Sequence, residues 1–154
     1  MDEIRLKGFV GIVQNYFDKF TGRPAEVGTP FLGEPADLPI HDYTGVIGIS
    51  GSQRGCVYFS APALMLKDIL LRAGESDLSE GNLADITGEI ANTIAGNARR
   101  EFGSEFLISV PIVVRGREQR ITMPKDVKAY VIPLRWHKIA ASLVVSVSKA
   151  GGVS

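Results

Sequence analysis

The sequence predicts an α+β domain in which a mainly antiparallel sheet packs against a few helices. Two observations predict this class. The apolar spacing changes along the chain from one helical segment to strands, then to two helices, then to strands again. The chain has 154 residues, 45% of them apolar and 22% charged, which is the size and composition of one domain with a sizeable core.

The N-terminal segment has the spacing of an amphipathic helix, and Gly22 and Pro24 are typical of its end. The stretch from Gly28 to Asp42 is rich in proline and is expected to be irregular, with one short strand near Val27 to Leu32. The apolar face of the helix consists of Leu6, Phe9, Val10, Val13, Tyr16, Phe17 and Phe20.

Two strands and a short helix follow. Thr44 to Ser50 and Arg54 to Ser60 predict a hairpin, because Gly51-Ser52 between them suits a type II′ turn. Pro62 is expected to be the first residue of a helix that runs to about Arg72, because proline fits the first helical position. Gly74 then marks the end of that helix.

The last third of the chain predicts strands. Phe106 to Arg115 is expected to form one strand, and Pro111 within it implies a sheet edge or a bulge. Ala129 to Trp136 and Ile139 to Val147 predict a closing hairpin around His137-Lys138. We therefore predict a single domain over residues 1–149 and a frayed tail over residues 150–154.

A longer helix between these regions is the most informative segment. Ser79 is its expected N-cap, Phe102 its approximate end and Gly103 its stop signal. Glu89 and Asn92 are three residues apart, so their side chains are neighbours on the exposed face. The core-facing stripe consists of Leu83, Ile86, Ile90, Ile94, Ala98 and Phe102, and the opposite stripe of Asp85, Glu89, Asn92, Gly96 and Arg99.

Two mid-helix glycines, Gly88 and Gly96, need an explanation, since each costs about 1 kcal/mol relative to alanine. A glycine lets another backbone or a bulky group lie against the helix. That neighbour is a partner, or Gly88 or Gly96 instead serves packing between helices. The exposed acid and amide are likewise compatible with an ordinary solvated surface, and Arg99 and Arg100 with the preference of a helix end for basic residues.

Composition excludes several classes of protein. Lys plus Arg equals Asp plus Glu at 17 each, so no net field attracts nucleic acid or anionic lipid. The single cysteine, Cys56, excludes an internal disulfide, and two histidines without a ligand cluster predict no metal site. With no apolar run long enough for a membrane span and no signal-peptide pattern, we expect a cytoplasmic protein that contacts neither membrane nor nucleic acid.

The string from Thr87 to Arg99 resembles the signature helix of the CheX and CheC phosphatases of bacterial chemotaxis. In that pattern a Glu is followed after two residues by Asn, and one turn later by Gly-Asn-Ala. Here the matching residues are Glu89, Asn92 and the run Gly96-Asn97-Ala98. Ser109 to Gly116 is similar to the strand that follows the helix in this family, and the order of elements fits over about residues 2–148.

The resemblance implies a CheC/CheX-like fold and a phosphatase that acts on a CheY-like receiver phosphorylated on Asp. Asn92 would orient the attacking water, and Glu89 would pair with the receiver's lysine. Asp85, Gly96 and Arg99 would belong to the surface that meets the partner. Mg²⁺ is expected in the receiver, and no cofactor is expected in this chain.

A single acid/Asn motif points to the CheX branch, because the first helix has no Glu three residues before Asn15. Members of that branch commonly dimerise through sheet edges, so a homodimer is expected. Two alternatives stay open at this stage. One is a non-catalytic binding or adaptor module on the same scaffold, and the other is a signalling phosphatase unrelated to swimming.

Overall fold

A computed structural model describes residues 3–21, 25–118, 121–123 and 127–149. These residues form three helices and one antiparallel sheet of eight strands, which confirms the predicted α+β class. The helices are α1 (Glu3–Thr21), α2 (Ala63–Arg72) and α3 (Glu80–Phe102). The strands are β1 (Glu26–Val27), β2 (Phe31–Leu32), β3 (Tyr43–Gly51), β4 (Gln53–Ala61), β5 (Phe106–Ile108), β6 (Ile112–Arg115), β7 (Tyr130–Trp136) and β8 (Ile139–Lys149).

The sheet has the order β1-β7-β8-β4-β3-β5, with β2 also pairing with β7 and β6 also pairing with β3. The short strands β1 and β2 therefore form one edge, and β5 and β6 form the other. Two long hairpins, β3–β4 and β7–β8, lie side by side in the middle through the pairing of β4 with β8.

The main core lies between the helices and one face of the sheet. Phe9, Val13 and Phe17 of α1 are fully buried in it, as the apolar spacing predicts. Alternate residues of the central strands enter the same core, because side chains of a strand point to opposite faces in turn. Val57 and Phe59 of β4 point to this core, and Tyr58 between them points to the other face.

Helix α3 lies very close to strand β3. A Cβ atom on Gly45 of β3 would lie 2.9 Å from the carbonyl oxygen of Thr87 and 3.0 Å from the Cβ of Ala91. Only glycine allows this approach of strand and helix backbones. The contact therefore fixes the height of α3 above the sheet.

The far face of the sheet is covered by a smaller apolar cluster. Tyr58, Val131 and Val144 form its centre, and Met123 packs against them. The Cys56 thiol is only partly buried and donates to the Met123 sulfur at 3.3 Å.

Helix α2 begins one residue later than predicted. Pro62 has an extended backbone with ψ of 151° and is the N-cap, so Ala63 is the first helical residue. Proline has no side-chain acceptor to cap the helix, and the cap comes from far upstream instead: Asp42 Oδ2 accepts from the Ala63 N–H at 2.8 Å. Ser79 caps α3 as predicted, and its side chain accepts from the backbone N–H of Asn82.

Two strand predictions need correction. The single short strand expected near Val27 to Leu32 is two strands, β1 and β2, because the three residues 28–30 between them lie opposite only Ile132 and Pro133 of β7. The single strand expected from Phe106 to Arg115 is also two strands, since residues 109–111 lie opposite only Ile47 and Gly48 of β3. This extra residue is the bulge that Pro111 implied.

The predicted hairpins are confirmed in their positions, but the two-residue type II′ turn expected at Gly51-Ser52 is wrong. Such a turn would place Ile49 opposite Arg54, whereas Ile49 pairs with Gly55, so an odd number of residues separates the paired strands.

The β7–β8 turn pairs Trp136 with Ile139 across two residues, and both of them have positive φ, 45° for His137 and 68° for Lys138. This is the pattern of a type I′ turn. The predicted stop signals Gly22 and Pro24, and the predicted frayed tail 150–154, lie outside the described residues. Among the described helices, none is both long and apolar enough to cross a bilayer.

Candidate functional site

Helix α3 presents the two predicted faces. Its core stripe is buried, apart from Phe102 at the end, which is half-buried. The opposite stripe lies outside: Asp85, Glu89, Asn92 and Arg99 are exposed, and Gly96 is half-buried. The structure therefore brings all five predicted site residues onto one side of one helix.

The side chains of Glu89 and Asn92 are exposed and near each other on this side. Within the described part of the chain, neither side chain takes part in a hydrogen bond or an ion pair. Neighbouring polar groups of α3 are satisfied locally, as with the Thr87 hydroxyl, which donates to the Leu83 carbonyl at 2.7 Å. The donors and acceptors of Glu89 and Asn92 are therefore available to an incoming molecule.

Tyr16 of α1 is a neighbour of Glu89 that the sequence did not single out. Burial, and then the negative charge of Glu89, raise the pKa of Tyr16 to about 12. The phenol is therefore neutral at physiological pH. Its place at the edge of the apolar stripe of α1 was visible in the sequence, but its approach to Glu89 depends on how α1 packs on α3.

Two surface hollows flank Glu89. One, of about 410 Å³, lies between α3 and β6 and includes Gly88, Pro111 and Val113. The other, of about 210 Å³, lies between α3 and the end of α2 and includes Leu70 and Glu75. The Glu89 side chain thus lies between two depressions. A side chain in such a position can enter a cleft on another molecule.

The two mid-helix glycines have different roles. A Cβ on Gly88 would lie 3.1 Å from Val113 Cγ2 and 3.6 Å from Pro111 Cγ, so Gly88 gives room to the chain's own β6 edge. A Cβ on Gly96 would meet no heavy atom within 4 Å. Among the described residues, packing between helices therefore explains neither glycine: Gly88 packs against a strand edge, and Gly96 faces open space.

A third hollow, of about 490 Å³, surrounds Gly96, and we call it the Gly96 hollow. Arg100 lines it beside the predicted Arg99, although we assigned Arg100 no site role from the sequence. Its position next to Arg99 near the helix end was the only signal. The lining consists of Gly96, Arg99, Arg100, Ser104 and Ile108.

The exposed pair limits the chemistry that this surface can perform. An ionised carboxylate only accepts hydrogen bonds, whereas a carboxamide donates and accepts, so Asn92 can hold a water between two groups. The described residues contain no cluster of three His, Cys, Asp or Glu side chains that could hold a metal. A further hollow, between Pro35–Ile40 and Arg117, contains neither Glu89 nor Asn92.

Comparison of the sequence with known families finds one match over residues 43–135, more than half of the chain, to the family described as chemotaxis phosphatase CheX. The chain belongs to the CheX family. The match runs from β3 to β7 and includes the whole of α3, so it covers the exposed stripe described above.

Solved structures of CheX-like and CheC-like proteins share the fold. A CheC-like superfamily protein from Shewanella sp. PV-4 has a TM-score of 0.80 and 23% identity, over 96% of this chain and 99% of that one. CheX from Vibrio vulnificus has a TM-score of 0.79 and 22% identity, over 94% and 99%. A CheX–CheY–BeF₃–Mg²⁺ complex from Borrelia burgdorferi gives 0.76 and 16%, over 94% and 98%. A search of curated proteins gave no match.

The fold of this chain is also similar to that of a FliM domain. The FliM middle domain from H. pylori has a TM-score of 0.63 and 10% identity, over 95% of this chain and 92% of that one. At such identities the likeness concerns the backbone fold alone. The roles of Glu89, Asn92, Asp85, Gly96 and Arg99 stay predictions.

Proposed function

We propose that this chain is a protein phosphatase that hydrolyses the aspartyl-phosphate of a CheY-like response regulator. The observation that carries the proposal is the pair Glu89 and Asn92, exposed side by side on α3 and without a partner among the described residues. Membership of the CheX family supports it. The Borrelia complex, in which a CheX with this fold is bound to CheY, supports the class of partner.

In the proposed reaction Asn92 orients a water in line with the scissile P–O bond of the phospho-aspartate. The water oxygen forms a bond to phosphorus, and the bond to the aspartyl oxygen breaks, so that the regulator's carboxylate and free phosphate are released. The protons of the water pass to phosphoryl oxygens. Phosphoryl transfer depends mainly on positioning and charge compensation, and a glutamine orients water in a comparable way in GTPases.

Glu89 is assigned to binding and alignment. An ionised carboxylate suits a charge-assisted hydrogen bond to the lysine in the receiver's active site. That bond would fix the distance between Asn92 and the phosphoryl group. Glu89 is not assigned as the general base, because the phosphoryl oxygens beside the attacked phosphorus can take the protons of the water themselves.

The remaining parts of the proposal concern the setting. The chain needs no cofactor of its own, and charge neutralisation at the phosphoryl group would come from Mg²⁺ bound by the receiver. The surface of this chain that contacts the receiver would include Asp85, Gly96 and Arg99. The location would be cytoplasmic, where the CheY-like partner acts.

A homodimer through a sheet edge is also part of the proposal. The β5–β6 edge exposes Leu107, Val110 and Ile112, with 79% of Val110 exposed. Sedimentation over a range of concentrations is expected to show a dimer in the wild type, and Val110→Glu is expected to weaken it. A wild type that stays monomeric at high concentration would contradict this part.

The decisive experiment measures phosphate release from a phosphorylated CheY-like receiver with this protein substoichiometric. Positioning of one water by Asn92 is worth on the order of 10² in rate, or about 2.7 kcal/mol. Asn92→Ala is therefore expected to remove most of the acceleration while the protein stays folded. Glu89→Ala is expected to weaken binding of the receiver and to slow turnover.

Matched controls are available on the same fold. Asn15→Ala removes an exposed asparagine from α1, and Glu101→Ala removes an exposed glutamate from the end of α3. Both are expected to keep full turnover. If Asn92→Ala matches the wild type, the proposed role of Asn92 fails. If the wild type binds the receiver without exceeding its spontaneous hydrolysis, the chain is a non-catalytic adaptor.

A further inference from the structure

The Gly96 hollow lies one helical turn beyond Asn92 on the exposed side of α3, about 6 Å along the helix axis. Gly96 costs the helix about 1 kcal/mol relative to alanine. No described part of the chain uses the space that it leaves, since a Cβ there would meet nothing within 4 Å. The open space above Gly96 is thus available to a molecule from outside.

The hollow carries positive charge only. Of the five residues that line it, two are arginines and none is an acid. Arg100 Nη2 donates to Asn97 Oδ1 at 2.5 Å, and Asn97 lines the neighbouring hollow towards α1, so Arg99 is the cation that the Gly96 hollow chiefly offers to a ligand. Arg99 is exposed and makes a long contact of 3.4 Å from Nη2 to the Ser104 carbonyl, which leaves most of its five N–H donors for a ligand.

The exposed stripe of α3 therefore has a polarity. Asp85 and Glu89 give a negative first half, Asn92 and Gly96 a neutral middle, and Arg99 a positive end about 10 Å beyond Asn92. A partner that offers a cation to Glu89 and an anion to Arg99 can bind the exposed stripe of α3 in one direction only. Electrostatic complementarity of this kind fixes orientation and register more than total affinity.

We propose that the Gly96 hollow is a carboxylate-accepting subsite, which binds an acidic side chain on the rim of the receiver's phosphorylation site and so fixes the direction of docking. This role rests on the proposed function. A receiver pocket that holds Mg²⁺ must supply oxygen ligands, chiefly carboxylates, so acidic groups are expected around it. Guanidinium groups bind carboxylates in a bidentate manner, and Gly96 gives such a side chain room to lie against the helix.

The competing explanation is that Arg99 and Arg100 only complement the dipole at the end of α3. That role concerns the stability of this chain and not the binding of a receiver. Substitution of Arg99 would then lower the melting temperature slightly and leave the affinity for the receiver as it is. Affinity and stability measured on the same variants separate the two explanations.

The test titrates each variant with a CheY-like receiver loaded with beryllofluoride and Mg²⁺, and measures KM and kcat with the phosphorylated receiver. Arg99→Gln is expected to raise Kd and KM about tenfold and Arg99→Glu more, with the loss carried mainly by KM. The matched control is Arg135→Gln, an exposed arginine on β7 near the other edge of the sheet, which is expected to leave both constants unchanged.

A second pair of variants tests the space. Gly96→Leu fills the hollow and is expected to raise Kd and KM at least tenfold. Gly11→Leu adds the same side chain to α1, where a Cβ also meets nothing within 4 Å, and is expected to leave binding unchanged. Acidic residues around the receiver's phosphorylation site are then changed to Lys one at a time. One of these receiver variants is expected to restore binding to the Arg99→Glu variant of this chain.

The outcomes distinguish this inference from the proposed function. If Arg99→Glu and Gly96→Leu keep wild-type Kd and KM while Asn92→Ala is inactive, the subsite is wrong and the phosphatase assignment stands. If Asn92→Ala and Glu89→Ala are fully active, the phosphatase assignment fails whatever happens at Arg99. If the wild type neither binds nor dephosphorylates any CheY-like receiver, both are overturned.

Discussion

Ser109 supplies both hydrogen-bonding partners of the Gly48 backbone. Its N–H donates to the Gly48 carbonyl at 2.9 Å, and its hydroxyl accepts from the Gly48 N–H at 2.8 Å. The side chain thus replaces the backbone acceptor that the bulge between β5 and β6 removes from the ladder. This arrangement holds the edge of the sheet at the point where Pro111 and Val113 pack against Gly88, directly beside Glu89.

Ser109→Ala is expected to lower the free energy of unfolding by about 1 kcal/mol, which is the usual net contribution of one hydrogen bond to stability. Chemical denaturation with urea measures it. Ser52→Ala is the control, because Ser52 is exposed in the β3–β4 turn and its hydroxyl makes no hydrogen bond with the described residues. Equal stability of the Ser109→Ala variant and the wild type would show that the edge does not depend on this hydroxyl.

Asp42→Ala is expected to lower the free energy of unfolding by about 1 kcal/mol at neutral pH, because it removes the cap of α2. The hydrogen bond from the Ala63 N–H, and then the bond from Arg117, hold the pKa of Asp42 below its usual value. The contribution of the ionised form is therefore fully present above the unfolded pKa of about 3.9 and is lost as the pH falls through the folded-state pKa.

Urea unfolding of the wild type and Asp42→Ala from neutral pH down to about pH 3 checks this expectation. The difference in the free energy of unfolding between the wild type and Asp42→Ala should become smaller towards pH 3. Asp37→Ala, at an exposed carboxylate in the loop before β3, serves as the control and should show little difference at either pH. A gap of constant size would mean that the charge of Asp42 contributes nothing.

Lys138→Gly is expected to raise the free energy of unfolding by about 0.5 kcal/mol. A side chain at positive φ costs roughly 1–2 kcal/mol, and the greater freedom of glycine in the unfolded chain offsets roughly half of the gain. The opposite change at Gly74, which has a φ of 84° and open space around it, should be destabilising. Thermal unfolding of Lys138→Gly and Gly74→Ala checks both signs.

Gly96→Ala is expected to raise the free energy of unfolding by about 1 kcal/mol, since alanine is the better helix former and the new methyl group meets no obstacle. Gly88→Ala should raise the free energy of unfolding by less than Gly96→Ala does, or lower it, because its Cβ would lie 3.1 Å from Val113 Cγ2. Urea denaturation of the two variants gives the comparison. The distinction between the two glycines is wrong if both changes stabilise equally.

Glu89→Gln is expected to lower the pKa of Tyr16 from its value of about 12, because it removes the negative charge that adds to the effect of burial. Tyrosine ring carbon shifts followed by NMR at alkaline pH measure the change. Glu101→Gln, at the other end of α3, is the control and should leave Tyr16 as it is. An unchanged pKa in Glu89→Gln would mean that the two side chains do not interact.

The sequence predicted well wherever one element's own periodicity decided the outcome. The buried stripe of α3 and the exposed Glu89 and Asn92 followed from a period of 3.6 residues, which is a local property of the chain. The turn at His137-Lys138 followed from the two apolar runs on either side of it. The interruption between β5 and β6 was predicted only in part. Pro111 indicated a bulge, but the sequence did not show that Ile47 and Gly48 of β3 lie opposite it.

The sequence by itself determined the class of the fold, the long helix and the acid and amide that lie outside it, because these depend on spacing along one element. The tertiary structure alone decided which neighbours surround that pair: Tyr16 from α1, Val113 from the sheet edge and the open space at Gly96. The physical reason is that contacts between elements depend on how closely helices and strands approach. That approach is set by small residues such as Gly45, whose consequence appears only when two distant backbones meet.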